Sequence, residues 1–384
     1  MKRIAVWGAG CFGQYIVESL KNYNAFQIKY FVDNNSKLNR QIPVILPEEI
    51  DGIMHAEIDE IWIAVSRYYY LGDMIEQLHH LGVTDSVHIV KPELWIEKPE
   101  VSAEDILAEY VYEIDIKNRA VITKLEYHVC DHCNLNCTGC SHFAPIYKDS
   151  FSELKVFQKD VAQLCEKFSN ILRFRLMGGE PFLHGELKEF VKVARKGFPY
   201  AHLEIVTNGL LLHRVQDETW DCIRQNDAVL NISLYKPTFA IREKISALLH
   251  DKKIKYSFGS GLEQYNETGV IDDFHTGLTD SPVNDGKVAA QYCMGNKCHF
   301  LRNGKISKCA LPLLAADINC YFDKQYAVHV EDYVDLYDDT ISPWDMIDRL
   351  ENATPFCNYC IEGVPRRFEW SVKQEVDFAD YVVK

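Results

Sequence analysis

Apolar residues recur along the chain in two periods. Ile4-Ala5-Val6-Trp7, residues 28–32 and Ile61-Trp62-Ile63-Ala64-Val65 are short apolar runs, the pattern of strands buried on both faces. Phe12, Ile16 and Leu20 repeat every four residues, so a helix follows the first run, and a second helix is expected over 73–81. This block reads as a small doubly wound sheet reaching about Val90. A second block of alternation runs from about Val121 to Ser260. Its strands are predicted at 125–129, 171–177, 203–206 and 229–234. Between them, Phe157, Val161, Leu164 and Phe168 line one helix face, as do Leu187, Phe190, Val191 and Ala194, and later Ile241, Ile245 and Leu248. Strand–helix alternation builds a parallel sheet wound with helices, so the fold class is α/β. Such sheets take ligands beyond the C-terminal ends of their strands.

The residues at those ends carry the chemistry. After the 125–129 strand comes CDHCNLNCTGCSHFAP, with Cys133, Cys137 and Cys140 spaced C-x3-C-x2-C. Three thiolates on one loop can occupy three corners of a cube and leave the fourth without a protein ligand. Iron–sulfur clusters are held by thiolates, normally four. Zinc is the alternative, but its sites usually come as C-x2-4-C pairs. The 171–177 strand ends in Gly178-Gly179-Glu180-Pro181, where glycines let backbone approach a ligand and Glu180 can accept from an ammonium group. The next two strands end in Thr207-Asn208-Gly209 and at Ser233.

In this order the motifs resemble the radical S-adenosylmethionine (SAM) superfamily. The resemblance implies an open, partial (β/α)6 barrel. It implies a 4Fe–4S cluster on Cys133, Cys137 and Cys140, with SAM on the fourth iron and its amino group at Gly178, Gly179, Glu180 and Pro181. Asn208 and Ser233 complete the expected SAM contacts. An electron donor such as flavodoxin or ferredoxin is implied, and the activity is hydrogen-atom abstraction from a substrate.

Near the C-terminus, Cys298 and Cys309 flank a predicted hairpin with its turn at Asn303-Gly304, and Cys357 and Cys360 follow. By themselves these residues could be two buried thiols and half of a zinc ribbon. With Gly304 five residues before Cys309, they resemble the auxiliary extension of some radical SAM enzymes. The implied ligands of a second, auxiliary 4Fe–4S cluster are Cys298, Cys309, Cys357 and Cys360, with Cys293 as an alternative to Cys298. Cys130 is read as a bystander. Among the remaining thiols, Cys222 or Cys320 could return a hydrogen atom to a substrate radical, as epimerases of the superfamily require.

The first block carries Gly8, Gly10 and Gly13 after its first strand and Asp33 after its second, a dinucleotide fingerprint in outline. It is similar to the short Rossmann-like domains of bacterial surface-polysaccharide enzymes. The expected organisation is a Rossmann-like domain over 1–92, a linker over 93–119, a radical SAM core over 120–290 and an auxiliary cluster domain over 291–384. The 384-residue chain carries a formal charge of −15, which disfavours a nucleic-acid substrate. Thirteen cysteines without a signal peptide or membrane span fit a reducing cytoplasm. The expected function is radical chemistry on a small polar molecule, such as a nucleotide-sugar or polyol, ending in oxidation or epimerisation. A peptide-modifying maturase and a non-catalytic metal scaffold are the alternatives.

Overall fold

The apolar runs of the first block become the centre of a six-stranded sheet. Its strands are β1 (Lys2–Trp7), β2 (Phe26–Val32), β3 (Val44–Ile45), β4 (Glu60–Ile63), β5 (Val87–Val90) and β6 (Val111–Ile114), in the order β3-β2-β1-β4-β5-β6. The structure, a computed structural model, describes residues 1–35, 37–38, 40–259, 273–293 and 297–383. Contacts divide the chain into two compact units, residues 1–123 with 166–172, and residues 124–165 with 173–384.

In the first unit β1 pairs in parallel with β2 and β4, and Ile4 to Trp7 are fully buried. Phe12, Ile16 and Leu20 of the helix Cys11–Leu20 are buried as their spacing predicts. The second helix is longer than expected, Tyr68–His80. Part of the stretch expected as a linker forms a strand. Within it, buried Tyr112 and Ile114 alternate with exposed Glu113, and β6 adds to the sheet antiparallel to β5.

An eight-stranded sheet organises the rest. It contains β7 (Ala120–Cys130), β8 (Phe168–Gly178), β9 (His202–Thr207), β10 (Val229–Ile232) and β11 (Tyr256–Phe258). A separate ribbon pairs β12 (Asp273–Thr276) with β16 (Arg366–Glu369). The hairpin strands β13 (His299–Arg302) and β14 (Lys305–Ser307), then β15 (Tyr333–Asp335), extend the large sheet, whose order is β11-β10-β9-β8-β7-β13-β14-β15. The hairpin turns on Asn303 and Gly304 with φ of 50° and 73°, the primed turn that this dipeptide favours. β13 pairs in parallel with β7, so the expected boundary at residue 291 does not separate two sheets. Phe168, expected on the helix Leu154–Lys167, instead opens β8. The helix Arg242–Asp251 buries Ile245 and Leu249 rather than Leu248.

Side chains alternate across these strands. Leu125, Tyr127 and Val129 of β7 are buried, and Tyr127 lies 4.5 Å from Phe157 of the covering helix, ring centre to ring centre. Lys124, Glu126 and His128 occupy the opposite face by the same alternation, matched by Arg173 and Arg175 on β8 and His202 and Glu204 on β9. A further core gathers Phe300, Leu314, Ile318, Phe356, Tyr359, Tyr381 and Val382. Among the described residues no helix is long and apolar enough to cross a membrane.

The glycine turn after β1 gives a stability test. A Cβ on Gly13 would fall 1.9 Å from the Gly8 carbonyl oxygen, whereas one on Gly10 meets nothing within 4 Å. Gly13→Ala should therefore cost about 1–3 kcal/mol or more. Gly10→Ala should cost less than about 1 kcal/mol. Denaturant titration of the two variants reads the difference, and equal midpoints would refute it.

Candidate functional site

The site is built where β7 and β8 end. Gly178, at φ +137°, and Gly179 lie directly against the chain that leaves β7. An added Cβ would fall 1.8 Å from the Cys130 carbonyl oxygen at Gly178 and 2.0 Å from that of His132 at Gly179. Gly179 N donates to Cys130 O at 2.9 Å and Glu180 N to His132 O at 3.1 Å. These glycines thus permit contact between two backbone segments, where the sequence suggested contact with a ligand. Cys130 is fully buried and its thiol donates to Glu180 O at 3.0 Å, turned to this joint.

Beyond the joint, Cys133, Cys137 and Cys140 sense one another electrostatically, and each sulfur accepts from N–H donors. Leu135 N lies 3.3 Å and Asn208 Nδ2 3.6 Å from Cys133 Sγ, and Trp370 Nε1 lies 3.2 Å from Cys137 Sγ. Cys140 receives the backbone amides of His142, Phe143 and Ala144. Donors aimed at all three sulfurs suit thiolates. Among the described residues no three cysteine sulfurs come within 4.8 Å of one another. A zinc tetrahedron needs edges of roughly 3.8 Å. A set of three thiolate donors fits a 4Fe–4S cluster. The C-terminal segment covers the loop: Thr138 N donates to Ser371 O at 2.9 Å, Lys373 N to Asn136 O at 3.1 Å, and Tyr381 stacks on Phe143 at 4.2 Å. Trp370 also stacks on Tyr235 at 5.7 Å. Nothing in the spacing of the motifs announced these residues.

Glu180 is fully buried and accepts from Thr207 Oγ1 at 2.7 Å, Asn208 N at 2.8 Å and Phe182 N at 3.1 Å. A carboxylate has about four acceptor positions, so one, on Oε2, remains. Burial pushes the carboxyl up to about 7 against these hydrogen bonds, with no cation among the causes. Pro181 opens the short turn Pro181–Leu183 that Glu180 caps. Asn208 reaches Asn134 Oδ1 at 2.7 Å on the cysteine loop, and Ser233 N bonds Thr207 O at 2.9 Å, which ties the three strand ends together.

The second cysteine set differs from the expected one. Cys309 senses Cys360, Cys293 and Cys357, and Cys360 senses Cys357 and Cys293. Cys298 is absent from both environments. The register His299↔Leu125 sets Cys298 beside Lys124, and the alternation of β13 turns it toward Glu126. Cys293, the alternative to Cys298, is thus the one that neighbours Cys309 and Cys360. The suggested hydrogen donors are also displaced. Cys222 is buried on the helix Asp217–Gln225 with its thiol on Lys188 O at 3.3 Å, and Cys320 is exposed.

A cavity of about 460 Å³ is lined by Gly139, Ser141, His142 and Phe143 from the loop of the first cysteine set and by Cys293, Cys309 and Cys360. Lys124, Glu126, Cys298, Tyr292 and Tyr381 also line it. Behind this wall runs a chain of buried charges. Asp131 Oδ1 is 2.9 Å from His128 Nδ1, and His128 Nε2 is 2.8 Å from His142 Nδ1. His142 Nε2 is 3.8 Å from Glu126, which pairs with Arg175, whose Nε is 3.1 Å from Glu204. Burial raises Glu126, but Arg175, His142 and Lys124 outweigh it and hold the carboxyl at about 2. Burial and the neighbouring His128 bring His142 down to about 4, so it is neutral. The alternation of charged and apolar residues at 124–128, 173–176 and 202–205 was the sequence signal for this inner face.

In the first unit, Asp33 accepts from Ala9 N at 3.0 Å and Asn35 N at 2.9 Å, so it shapes the Gly8–Gly13 turn. Gly8 and Gly13 are in close mutual approach, while Gly10 leaves open space at the start of the helix.

The 4Fe-4S single cluster domain family matches residues 125–246, a stretch that contains Cys133, Cys137 and Cys140 and ends before the second cysteine set. A GTP 3',8-cyclase of Sulfurovum sp. (strain NBC37-1) is 25% identical over 253 residues, 62% of this chain and 68% of that protein. A probable GTP 3',8-cyclase of Pyrobaculum aerophilum is 32% identical over 94 residues, 24% of this chain and 29% of its own. A 7,8-dihydro-6-hydroxymethylpterin dimethyltransferase of Methanocaldococcus jannaschii is 26% identical over 103 residues, 26% of this chain and 19% of its own. The chain thus spans less than a third of the latter two. Among solved structures, BtrN in complex with AdoMet and 2-DOIA shares 14% identity at a TM-score of 0.37, over 63% of this chain and 94% of that one. Native anSMEcpe with bound AdoMet shares 18% at 0.29, over 35% and 43%. Likenesses this loose decide nothing about activity.

Glu180 gives a pH test. Its carboxyl titrates at about 7 in the folded chain against an ordinary 4.5, so between these values only the folded chain keeps the proton. The stability that this contributes is present below the ordinary value and lost as pH rises through the folded one, by about 3 kcal/mol. Glu180→Gln removes the titration but sets an amide N–H against a donor, at a cost of about 1–3 kcal/mol. The stability gap between wild type and variant should shrink from pH 4.5 to pH 8 in denaturant titrations. A constant gap would sink this reading.

Proposed function

We propose that this chain, a member of the radical SAM superfamily, removes a hydrogen atom from a small polar substrate held in the cavity lined from both cysteine sets. The observation that carries the reading is that arrangement. The loop of Cys133, Cys137 and Cys140 contributes Gly139, Ser141, His142 and Phe143 to the cavity lining, and Cys293, Cys309 and Cys360 contribute to it as well. Cys133, Cys137 and Cys140 would hold a 4Fe–4S cluster, and Cys293, Cys309, Cys357 and Cys360 a second, fully ligated one. SAM would lie against Gly178 to Pro181, Asn208 and Ser233, its ammonium on the open position of Glu180 Oε2. When bound, cluster and SAM supply a one-electron cleavage that generates a hydrogen-abstracting radical, fed by a donor such as flavodoxin or ferredoxin.

The chain's own residues bind, orient and exclude water. Lys124, Ser141 and neutral His142 offer polar groups to an occupant, and the volume of about 460 Å³ suits a small molecule. A hydroxylated substrate such as a nucleotide-linked sugar or polyol matches that lining. The named substrate of the cyclase relatives, GTP, is compatible with a nucleotide-bearing molecule. Gly10, with open space at a helix start, supports reading the first unit as a nucleotide-binding-like module.

Anaerobic reconstitution tests the assignment. The full chain should take up about eight iron and eight sulfide, and joint replacement of Cys133, Cys137 and Cys140 by Ala should remove about half. With SAM and dithionite the wild type should yield 5′-deoxyadenosine and the triple variant none. Stoichiometric zinc without iron would overturn the reading.

A further inference from the structure

We propose that Trp370 sets the reduction potential of the cluster that Cys133, Cys137 and Cys140 would hold. Its indole N–H, aimed at the Cys137 sulfur, favours the reduced state, which makes Trp370 a positioning residue for electron entry. The inference rests on the function proposed above and adds a residue that the cysteine loop itself does not contain. Trp370 Nε1 lies 3.2 Å from Cys137 Sγ, and both residues are buried. An indole nitrogen only donates, so the direction of this bond is fixed. The other two sulfurs are served differently. Cys140 receives the backbone amides of the residues that follow it, and Cys133 receives Leu135 N with Asn208 Nδ2 alongside. Cys137 takes a side-chain donor from 233 positions away.

The chain around Trp370 is tied to the cysteine loop residue by residue. Val372 pairs with Cys137 in an antiparallel bridge. Thr138 N donates to Ser371 O at 2.9 Å, and the hydroxyls of these two residues lie 2.9 Å apart. Lys373 N donates to Asn136 O at 3.1 Å. Phe368 occupies the space beside Gly139, where an added Cβ would fall 2.3 Å from its ring. The Tyr235 ring stacks on the indole with centres 5.7 Å apart and planes 9° from parallel, and the adjacent Lys236 pairs with Glu369. These contacts hold the N–H on the sulfur.

One electron from a low-potential flavin or iron–sulfur donor protein adds one negative charge to the cluster and its thiolates. No bond breaks and no proton moves in that step. A donor aimed at a sulfur gains strength as the sulfur becomes more negative, so it favours the reduced state and raises the potential. Partners beyond the ligands tune metal centres in this way. Cover alone acts with the opposite sign, because excluding water disfavours the added charge. Donor and cover therefore predict opposite shifts when the indole is replaced.

An anaerobic redox titration of the reconstituted full chain, read by EPR on the signal that SAM perturbs, separates the two. Trp370→Phe keeps an aromatic ring and removes the donor. Its iron content should match wild type and its midpoint should fall. The reduced-to-oxidised ratio at a fixed potential should drop roughly tenfold, about 59 mV for one electron. An unchanged or higher midpoint overturns the proposal and leaves Trp370 as cover. If the variant does not load iron, wild type decides. With tryptophan isotope-labelled at the indole nitrogen, pulsed EPR of the reduced cluster should show hyperfine coupling to that nitrogen, and its absence overturns the proposal. Wild type that takes up zinc and no iron overturns the proposed function, and this inference with it.

Discussion

The site hangs on one contact between backbones, the seat of Gly178 and Gly179 against Cys130 to Cys133. No side chain fits there, since added Cβ atoms would fall 1.8 and 2.0 Å from carbonyl oxygens. Two amide hydrogen bonds across the seat, at 2.9 and 3.1 Å, fix where the cysteine loop leaves β7. The same joint buries Glu180 and aims it at the amide and hydroxyl of Asn208 and Thr207. One close approach thus sets both the cysteine loop and the buried carboxylate of Glu180.

Around that joint the sheet works with two faces. One is apolar and packs Phe157, Phe190 and Phe198 under the helices. The other strings Asp131, His128, His142, Glu126, Arg175 and Glu204 into a continuous series of buried polar contacts. Buried charges that compensate one another cost little to keep together and much to separate. The series holds His142 and Glu126 in the cavity wall without leaving either as an uncompensated charge. The C-terminal segment covers the cysteine loop, with Trp370 on Cys137 and Tyr381 on Phe143.

Much of this was legible from short stretches. Strand periods, the primed turn at Asn303-Gly304 and the helix faces each depend on residues a few positions apart, and they stand where the pattern put them. Local patterns failed where an element's edge or partner was set from far away. Phe168 suits a helix face by spacing, yet it opens β8. The 93–119 stretch has Pro99, as a linker would, but the alternation of a strand at its end, and β6 forms because β5 offers an unpaired edge.

The sequence by itself determined the chemistry that neighbours on one loop can perform. Cys133, Cys137 and Cys140 are bound to one loop by their spacing, whatever the rest of the chain does. Only the tertiary structure placed Cys298 beside Lys124, because that depends on the pairing of β13 with a strand more than a hundred residues earlier. It likewise brought Trp370 to Cys137 across 233 positions. The reason is physical. Ligand spacing within a loop is limited by covalent geometry, whereas a cavity wall is assembled from strands and segments whose register is fixed by burial and hydrogen bonding over the whole fold.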